Sequence, residues 1–343
     1  MGIYSAWAKV RSHRYFYSHL YIDGSNFEYV ANPRSILAGR IVAVILFISY
    51  NIISRYLPDF SMWFLLVLVP IGPWIIYQSL KFRAHNSIFR NIRFGFHGSY
   101  KKALLVLGIY PAIAIAPFII LTYFTADQES SQSPMFVGLG MLFASIFSFI
   151  VFGFVLHQFY AFVVNNSSYG KTRFTFSSSV KEYLGLLTKV FFSFFGMIIL
   201  LGIILAGIAG AGVALFGEEV VSGLSISFGV IFGMMIYVWS ISMYAAGTTN
   251  RLYNGLLIPA WYTFRSDVTT WGFFKVYFIN TILIVLTVGL YISFAKIRMV
   301  RYRIDHLKFV STLNLDEFAF DSNEEESAVG HEVGEMFDMG LSL

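Results

Sequence analysis

The chain has 343 residues, of which 57% are hydrophobic and 13% charged, with 37 Phe, 21 Tyr and no Cys. An ordinary globular protein is roughly 45–50% apolar and about 25% charged, so a soluble fold of this size, a nucleic-acid-binding protein and a disulfide scaffold are all excluded. The net charge of +5 is divided unevenly. Residues 319–343 hold seven acids and no Lys or Arg, and the rest of the chain is strongly basic.

In chain order, the first feature is a basic segment carrying Lys9, Arg11 and Arg14, with no cleavable signal peptide in front of it. Next come Leu20-Tyr21-Ile22, Asp23-Gly24 and Asn26 to Val30, a strand–turn–strand pattern. A helix needs about 20 mostly apolar residues to cross the hydrocarbon core. Seven stretches meet that demand, at about 36–56, 60–80, 103–124, 134–164, 184–216, 221–247 and 271–295. Barrel strands alternate over about ten residues and do not produce such runs.

The connections sort by charge. Short turns carry Asp59, Asp127, Glu129, Glu218 and Glu219, and longer ones carry Lys81, Arg83, Arg90, Arg93, Lys101, Lys102, Lys171, Arg173 and Lys181. Excess Lys and Arg mark the cytoplasmic side. The expected fold is therefore an all-α polytopic membrane protein, with residues 1–318 forming the transmembrane domain. Residues 319–343 read as an acidic, disordered cytoplasmic tail.

The basic connections repeat an aromatic-x-aromatic step: Phe27-Glu28-Tyr29, Phe94-Gly95-Phe96, Phe174-Thr175-Phe176 and Tyr262-Thr263-Phe264. Asn86-Ser87 and Arg93-Phe94 recur at an offset of 80 as Asn166-Ser167 and Arg173-Phe174. Self-similarity at such a period signals duplicated units, here tandem transmembrane helical hairpins joined by small cytoplasmic β-hairpins. The paired rings are read as docking those hairpins against helix ends.

The two ends of the chain also match. Gly2, Tyr4, Ala8, Lys9, Arg11, Arg14, Tyr15 and His19 recur at an offset of 287 as Gly289, Tyr291, Ala295, Lys296, Arg298, Arg301, Tyr302 and His306. A span precedes the C-terminal copy and none precedes the N-terminal one, so the ancestral unit is expected to have carried a further leading helix. The segments 249–267 and 296–308 both belong in the cytoplasm by this logic, yet one apolar stretch lies between them. A re-entrant or broken helix turning near Thr287-Val288-Gly289 reconciles them and keeps the C-terminus cytoplasmic; the alternative is a full crossing.

The order Gly2, Tyr4, Trp7, Ala8, Lys9, Arg11, Arg14 and Tyr15, followed by Gly24, Phe27 and Tyr29, resembles the YjgN-like family of bacterial inner-membrane proteins. The resemblance runs from residue 1 to about 318, with Phe294 standing in the second copy where Trp7 stands in the first. It implies an inner-membrane location and no particular reaction.

The span interiors carry little chemistry. Arg40, Lys189 and Lys275 lie within about two turns of a span end, where long side chains reach water. No carboxylate lies at a span centre, which disfavours an ion-coupled pump. Asn280 reads as a helix–helix hydrogen bond. The histidines lack the spacing of a zinc helix, and no phosphate loop, nucleophile elbow or dinucleotide fingerprint is present. No catalytic residue, cofactor or metal is expected.

Ser225, Gly229 and Gly233 form a small-residue stripe that suits close helix packing. Lys9, Arg11, Arg14, Tyr15 and His19, with Lys296, Arg298, Arg301, Tyr302 and His306, are the candidate contacts for anionic lipid head groups or an acidic partner. Met336, Phe337 and Met339 in the tail suit a docking peptide for a protein partner. The functional expectation is a non-enzymatic inner-membrane scaffold or accessory protein; the alternative is a transporter or channel for a small or lipid-like solute, with its path between the repeats.

Overall fold

A computed structural model describes residues 4–126, 134–258 and 262–311. The tail positions Met336, Phe337 and Met339 lie outside the described residues. The chain is mostly helical, and five of its helices are long and apolar enough to cross a membrane: Pro33–Tyr56, Tyr100–Thr125, Met135–Asn165, Val180–Val213 and Glu218–Asn254. It divides into two compact units, one centred on Met1–Phe176 and the other on Ser177–Leu256 and Thr263–Val310.

The first unit begins with α1 (Ser5–Ser18), β1 (Tyr21–Ile22) and β2 (Ser25–Tyr29), then α2 (Pro33–Tyr56). Asn32 caps α2 by accepting the Arg34 amide, and Pro33 occupies the first helical position, where its missing N–H costs nothing. The apolar stretch at 60–80 is two helices, α3 (Pro58–Leu68) and α4 (Ile71–His85). Pro70 lacks the amide that would continue the ladder, and its carbonyl accepts the Tyr100 hydroxyl at 3.0 Å.

After β3 (Ser87–Phe89) and β4 (Ile92–Phe96), the next span runs through α5 (Tyr100–Leu104), a π-helical turn at Leu105–Ile109 and α6 (Tyr110–Ala126). The π turn falls directly before Pro111, where an unbroken α-ladder would leave a carbonyl without its donor. Then come α7 (Pro134–Asn165), β5 (Ser167–Tyr169), β6 (Thr172–Arg173) and β7 (Thr175–Phe176).

Strands β1 to β6 form one sheet in sequence order. Phe27 lies opposite Phe89 and Phe94 opposite Tyr169, so the rings stack as a ladder with centroids 4.5 Å apart in the first pair and 5.1 Å in the second. Such cross-strand aromatic pairs stabilise a sheet by roughly 0.2–1 kcal/mol each. The other ring of each step docks on helices, Phe96 on Phe162 and Tyr29 on Tyr17, as expected for rings that seat a hairpin against helix ends. The two-residue turns at Asp23-Gly24 and Arg90-Asn91 have positive φ at both central positions, the twist that tight hairpins favour.

The second unit is built on α8 (Val180–Phe216) and α9 (Glu218–Asn254), which pack along each other and turn sharply at Gly217, whose φ is +80°. On α9, a Cβ at Gly229 would meet Leu205 at an ordinary 3.6 Å, and one at Gly233 would meet open space. The Ser225 hydroxyl is buried with no hydrogen-bond partner among the described residues. The tighter approach lies lower on α9, where a Cβ at Gly247 would overlap the Leu186 side chain.

β8 (Leu256–Ile258) neighbours β7, and β9 (Tyr262–Ser266) neighbours β10 (Leu307–Ser311). Between β9 and β10 the stretch at 271–295 folds back on itself. α10 (Thr270–Leu286) ends at a turn, and α11 (Ile292–Asp305) returns against it.

Candidate functional site

The candidate residues sit on α1 and α11, two helices with the same bounds at the offset of 287. Their geometry matches closely. His19 caps α1 at φ −102°, ψ 7°, and His306 caps α11 at φ −105°, ψ 9°. The His19 ring lies 4.3 Å from Tyr15 with Nδ1 on the Tyr15 carbonyl at 2.7 Å, and the His306 ring lies 4.4 Å from Tyr302 with Nδ1 on its carbonyl at 2.9 Å. Each Tyr–His pair therefore closes its own helix end through Nδ1.

In the first unit, Ala6 and Val10 bury one face of α1 against Tyr29, Ala31, Ile36 and Phe82; Arg14, one turn on from Val10, borders that face, and Arg11 lies on the outer side. Arg14 reaches the strand, its Nε donating to the Tyr29 carbonyl at 3.3 Å and its Nη2 to the Ala31 carbonyl at 3.2 Å. Arg14 also borders an open groove of about 350 Å³, lined with Ser18, Asn26, Phe27, Glu28, Tyr29 and Val30. Arg11 is exposed, and Lys9 is half-buried.

In the second unit, the same sequence positions make different contacts. Arg301, equivalent to Arg14, is exposed, as is Lys296. Arg298 is half-buried: Nη1 donates to Asn280 Oδ1 at 3.4 Å, and the guanidinium lies 5.6 Å over the Tyr291 ring. Asn280 is 5% exposed and also donates to the Ala295 carbonyl at 3.2 Å, the helix–helix bond expected of it. Tyr302 packs edge-on against Phe273 at 5.2 Å and hydrogen-bonds Thr269.

Several contributors escaped sequence reasoning. Arg303 lays its guanidinium 5.6 Å over the Phe273 ring. Arg90 pairs with Asp23 at 2.9 Å, donates to Ser25 at 3.0 Å and lies over Phe89, holding two hairpin turns together. A polar pocket of about 210 Å³ in the second unit is lined by Ser177, Ser178, Glu182, Asn250, Arg251, Asn254 and Gly255. Its groups satisfy one another: Ser178 donates to Glu182 at 2.6 Å, and Arg251 donates to the Glu182 carbonyl at 3.0 Å. It reads as a clasp between α8 and α9. Among the described residues no three His, Asp or Glu side chains gather as a metal site.

Tyr169 links the sheet to its pH response. Its hydroxyl donates to the Phe89 carbonyl at 3.0 Å, and burial pushes its pKa up to about 12, against a smaller opposing pull from Arg90. A hydroxyl raised in the fold contributes stability that is present below the unfolded pKa of about 10 and is lost as pH climbs towards the folded value. Thermal unfolding in detergent should therefore show wild type losing stability between about pH 10 and 12 relative to Tyr169→Phe; parallel curves would contradict the assignment.

Comparison with known proteins gives a consistent picture. A family model described as "Bacterial protein of unknown function (DUF898)" matches residues 1–336. The Inner membrane protein YjgN of Salmonella typhimurium is 22% identical over 344 residues, covering 96% of this chain and 86% of that protein. The Inner membrane protein YjgN of Escherichia coli O157:H7 is 24% identical over 179 residues, covering 51% of this chain and 45% of that protein. No solved structure matches the chain.

Proposed function

The chain belongs to the DUF898 family of bacterial proteins, and from that premise we propose that it is a non-enzymatic, multi-pass inner-membrane scaffold whose basic terminal helices hold anionic lipid head groups. Its relatives are named inner membrane proteins, and its five long apolar helices suit several crossings. The observation that carries the head-group reading is the matched pair α1 and α11. Each buries an apolar face and seats its Tyr–His pair in the same geometry. Each also leaves cations on its outer side, Arg11 on α1 and Lys296 and Arg301 on α11, with no protein partner among the described residues.

The strand pairs support the tandem-repeat reading. Asn86 and Asn166 each return a side-chain bond to the carbonyl four residues back, at 2.9 and 2.7 Å, before β3 and β5. Ser99 and Ser179, again 80 residues apart, precede the following helices in the same extended conformation. In this reading the basic hairpins and the C-terminus face the cytoplasm.

Each basic residue near an anionic leaflet contributes about 1 kcal/mol. A full-length triple variant, Arg11→Ala with Lys296→Ala and Arg301→Ala, should therefore lose about 3 kcal/mol of phosphatidylglycerol retention, on the order of a hundredfold. Native mass spectrometry of protein released from mixed phosphatidylglycerol–phosphatidylcholine nanodiscs measures this. Equal anionic-lipid retention by wild type and variant would overturn the reading.

A further inference from the structure

We propose that α10 and α11 form a re-entrant hairpin whose tip sits in the hydrocarbon of one leaflet, so that the chain enters and leaves the membrane on the same face. Three independent features converge on this, and none depends on the head-group reading.

The first is closure. The base of the hairpin is bonded to itself: the Asp267 amide donates to the His306 carbonyl at 3.2 Å, and Lys308 pairs with Asp267 at 2.8 Å. Partway up, Asn280 donates to the Ala295 carbonyl, and at the base Tyr302 reaches Thr269. A segment that crossed fully would separate its ends by about 30 Å, whereas here Asp267 and Lys308 touch.

The second is length against charge. Lys275 and Lys296 bracket twenty consecutive uncharged residues, Val276 to Ala295, but the turn falls inside them. From Lys275 to Leu286 the helix rises about 16 Å at about 1.5 Å per residue. That matches half of a hydrocarbon core of about 30 Å. Trp271 and Lys275, with the ammonium 5.4 Å from the ring, mark the water boundary at the base, where aromatic and cationic side chains concentrate.

The third is the tip itself. Val288 is 93% exposed and Leu290 84%, so no described part of the protein covers them. Yet each amide from Thr287 to Ile292 finds an acceptor within the turn. Gly289 donates its amide to the Ile284 carbonyl at 2.8 Å, Leu290 to Thr287 at 3.1 Å and Ile292 to Gly289 at 3.2 Å, while the Tyr291 amide donates to the Thr287 hydroxyl at 3.1 Å. Positive φ at Val288 and Gly289 makes that closure possible. Non-helical backbone is excluded from lipid because its polar groups go unpaired; a turn that pairs its amides internally and presents Val288 and Leu290 as its most exposed side chains suits acyl chains.

The native chain has no cysteine, so single substitutions report without background. Full-length Arg265→Cys and Val310→Cys should react with a membrane-impermeant maleimide from the same face of spheroplasts. Val288→Cys should lose labelling from both faces. Spin-labelled at Val288→Cys in vesicles, the tip should collide with oxygen far more than with a water-soluble nickel chelate. Leu290→Cys gives the same readings if Val288→Cys does not fold. Labelling of residues 265 and 310 from opposite faces would overturn the proposal in favour of a full crossing. Aqueous labelling of the tip would place it in water, and shielding of the tip from oxygen as well as nickel would mean that protein covers it; either result overturns the leaflet assignment.

Discussion

Phe82→Ala is expected to cost about 3–5 kcal/mol, the range for emptying an aromatic site that neighbours cannot refill. Phe82 is 2% exposed and lies on α4 at the centre of a cluster made by Ala6 and Val10 of α1, Tyr29 of β2, Ala31, and Ile36 of α2. The small members, Ala6 and Ala31, cannot move into the space, because their own backbones belong to separate elements. The Phe82 carbonyl still accepts from the Asn86 amide and side chain after truncation, so the loss isolates packing from hydrogen bonding. The visible consequence is release of α1. Limited trypsin digestion in detergent should cut at Arg11 or Arg14 in the variant and spare them in wild type, with a parallel fall in melting temperature. Phe47→Ala is the control, since that ring is exposed on α2 and supports no such cluster. If both variants melt and digest alike, the cluster does not seat α1.

The legible part of this fold is the part written locally. Long apolar runs announced the five helices long enough to cross a membrane, while two of the seven stretches, 60–80 and 271–295, proved each to be a pair of shorter helices; Asp23-Gly24 announced its turn. The offset of 287 announced two helices that share bounds, caps and Tyr–His geometry. Pro70 was in plain view but is compatible with either a kink or a break; the helix breaks there, between Leu68 and Ile71, and the Tyr100 hydroxyl takes the Pro70 carbonyl. The Arg90-Asn91 turn carries no glycine; its left-handed Arg90 is held by Asp23 and Ser25, 67 and 65 residues away in sequence.

The candidate site shows the same limit. Arg14 and Arg301 occupy equivalent positions in equivalent helices, yet Arg14 is tied to the carbonyls of Tyr29 and Ala31 and Arg301 is exposed. The difference lies in what packs beside each helix, which an internal repeat does not encode. The stripe of Ser225, Gly229 and Gly233 followed a sound periodicity rule, and a Cβ at Gly229 would touch Leu205 of α8; how close an approach is also depends on where the neighbouring helix lies, and closer ones fall at Gly247 and Gly272.

Gly272 supplies the second large effect. A Cβ there would overlap the Tyr302 ring, and that ring has nowhere to go: Phe273 packs edge-on to it at 5.2 Å, His306 lies 4.4 Å away, and Thr269 holds its hydroxyl. Overpacking of a constrained contact costs typically about 1–3 kcal/mol, so Gly272→Ala is expected to lose that much and Gly272→Val more. At Gly233 an added Cβ meets open space, and Ala there should be neutral or stabilising by up to about 1 kcal/mol through helix propensity. A double-mutant cycle isolates the contact. Tyr302→Ala loses its own packing but removes the obstacle, so Gly272→Ala in that background should cost almost nothing by detergent melting. An equal cost in both backgrounds would mean that the glycine serves the backbone of α10 rather than its partner. The cycle also tests the hairpin directly, because Gly272 and Tyr302 meet only if α11 returns along α10.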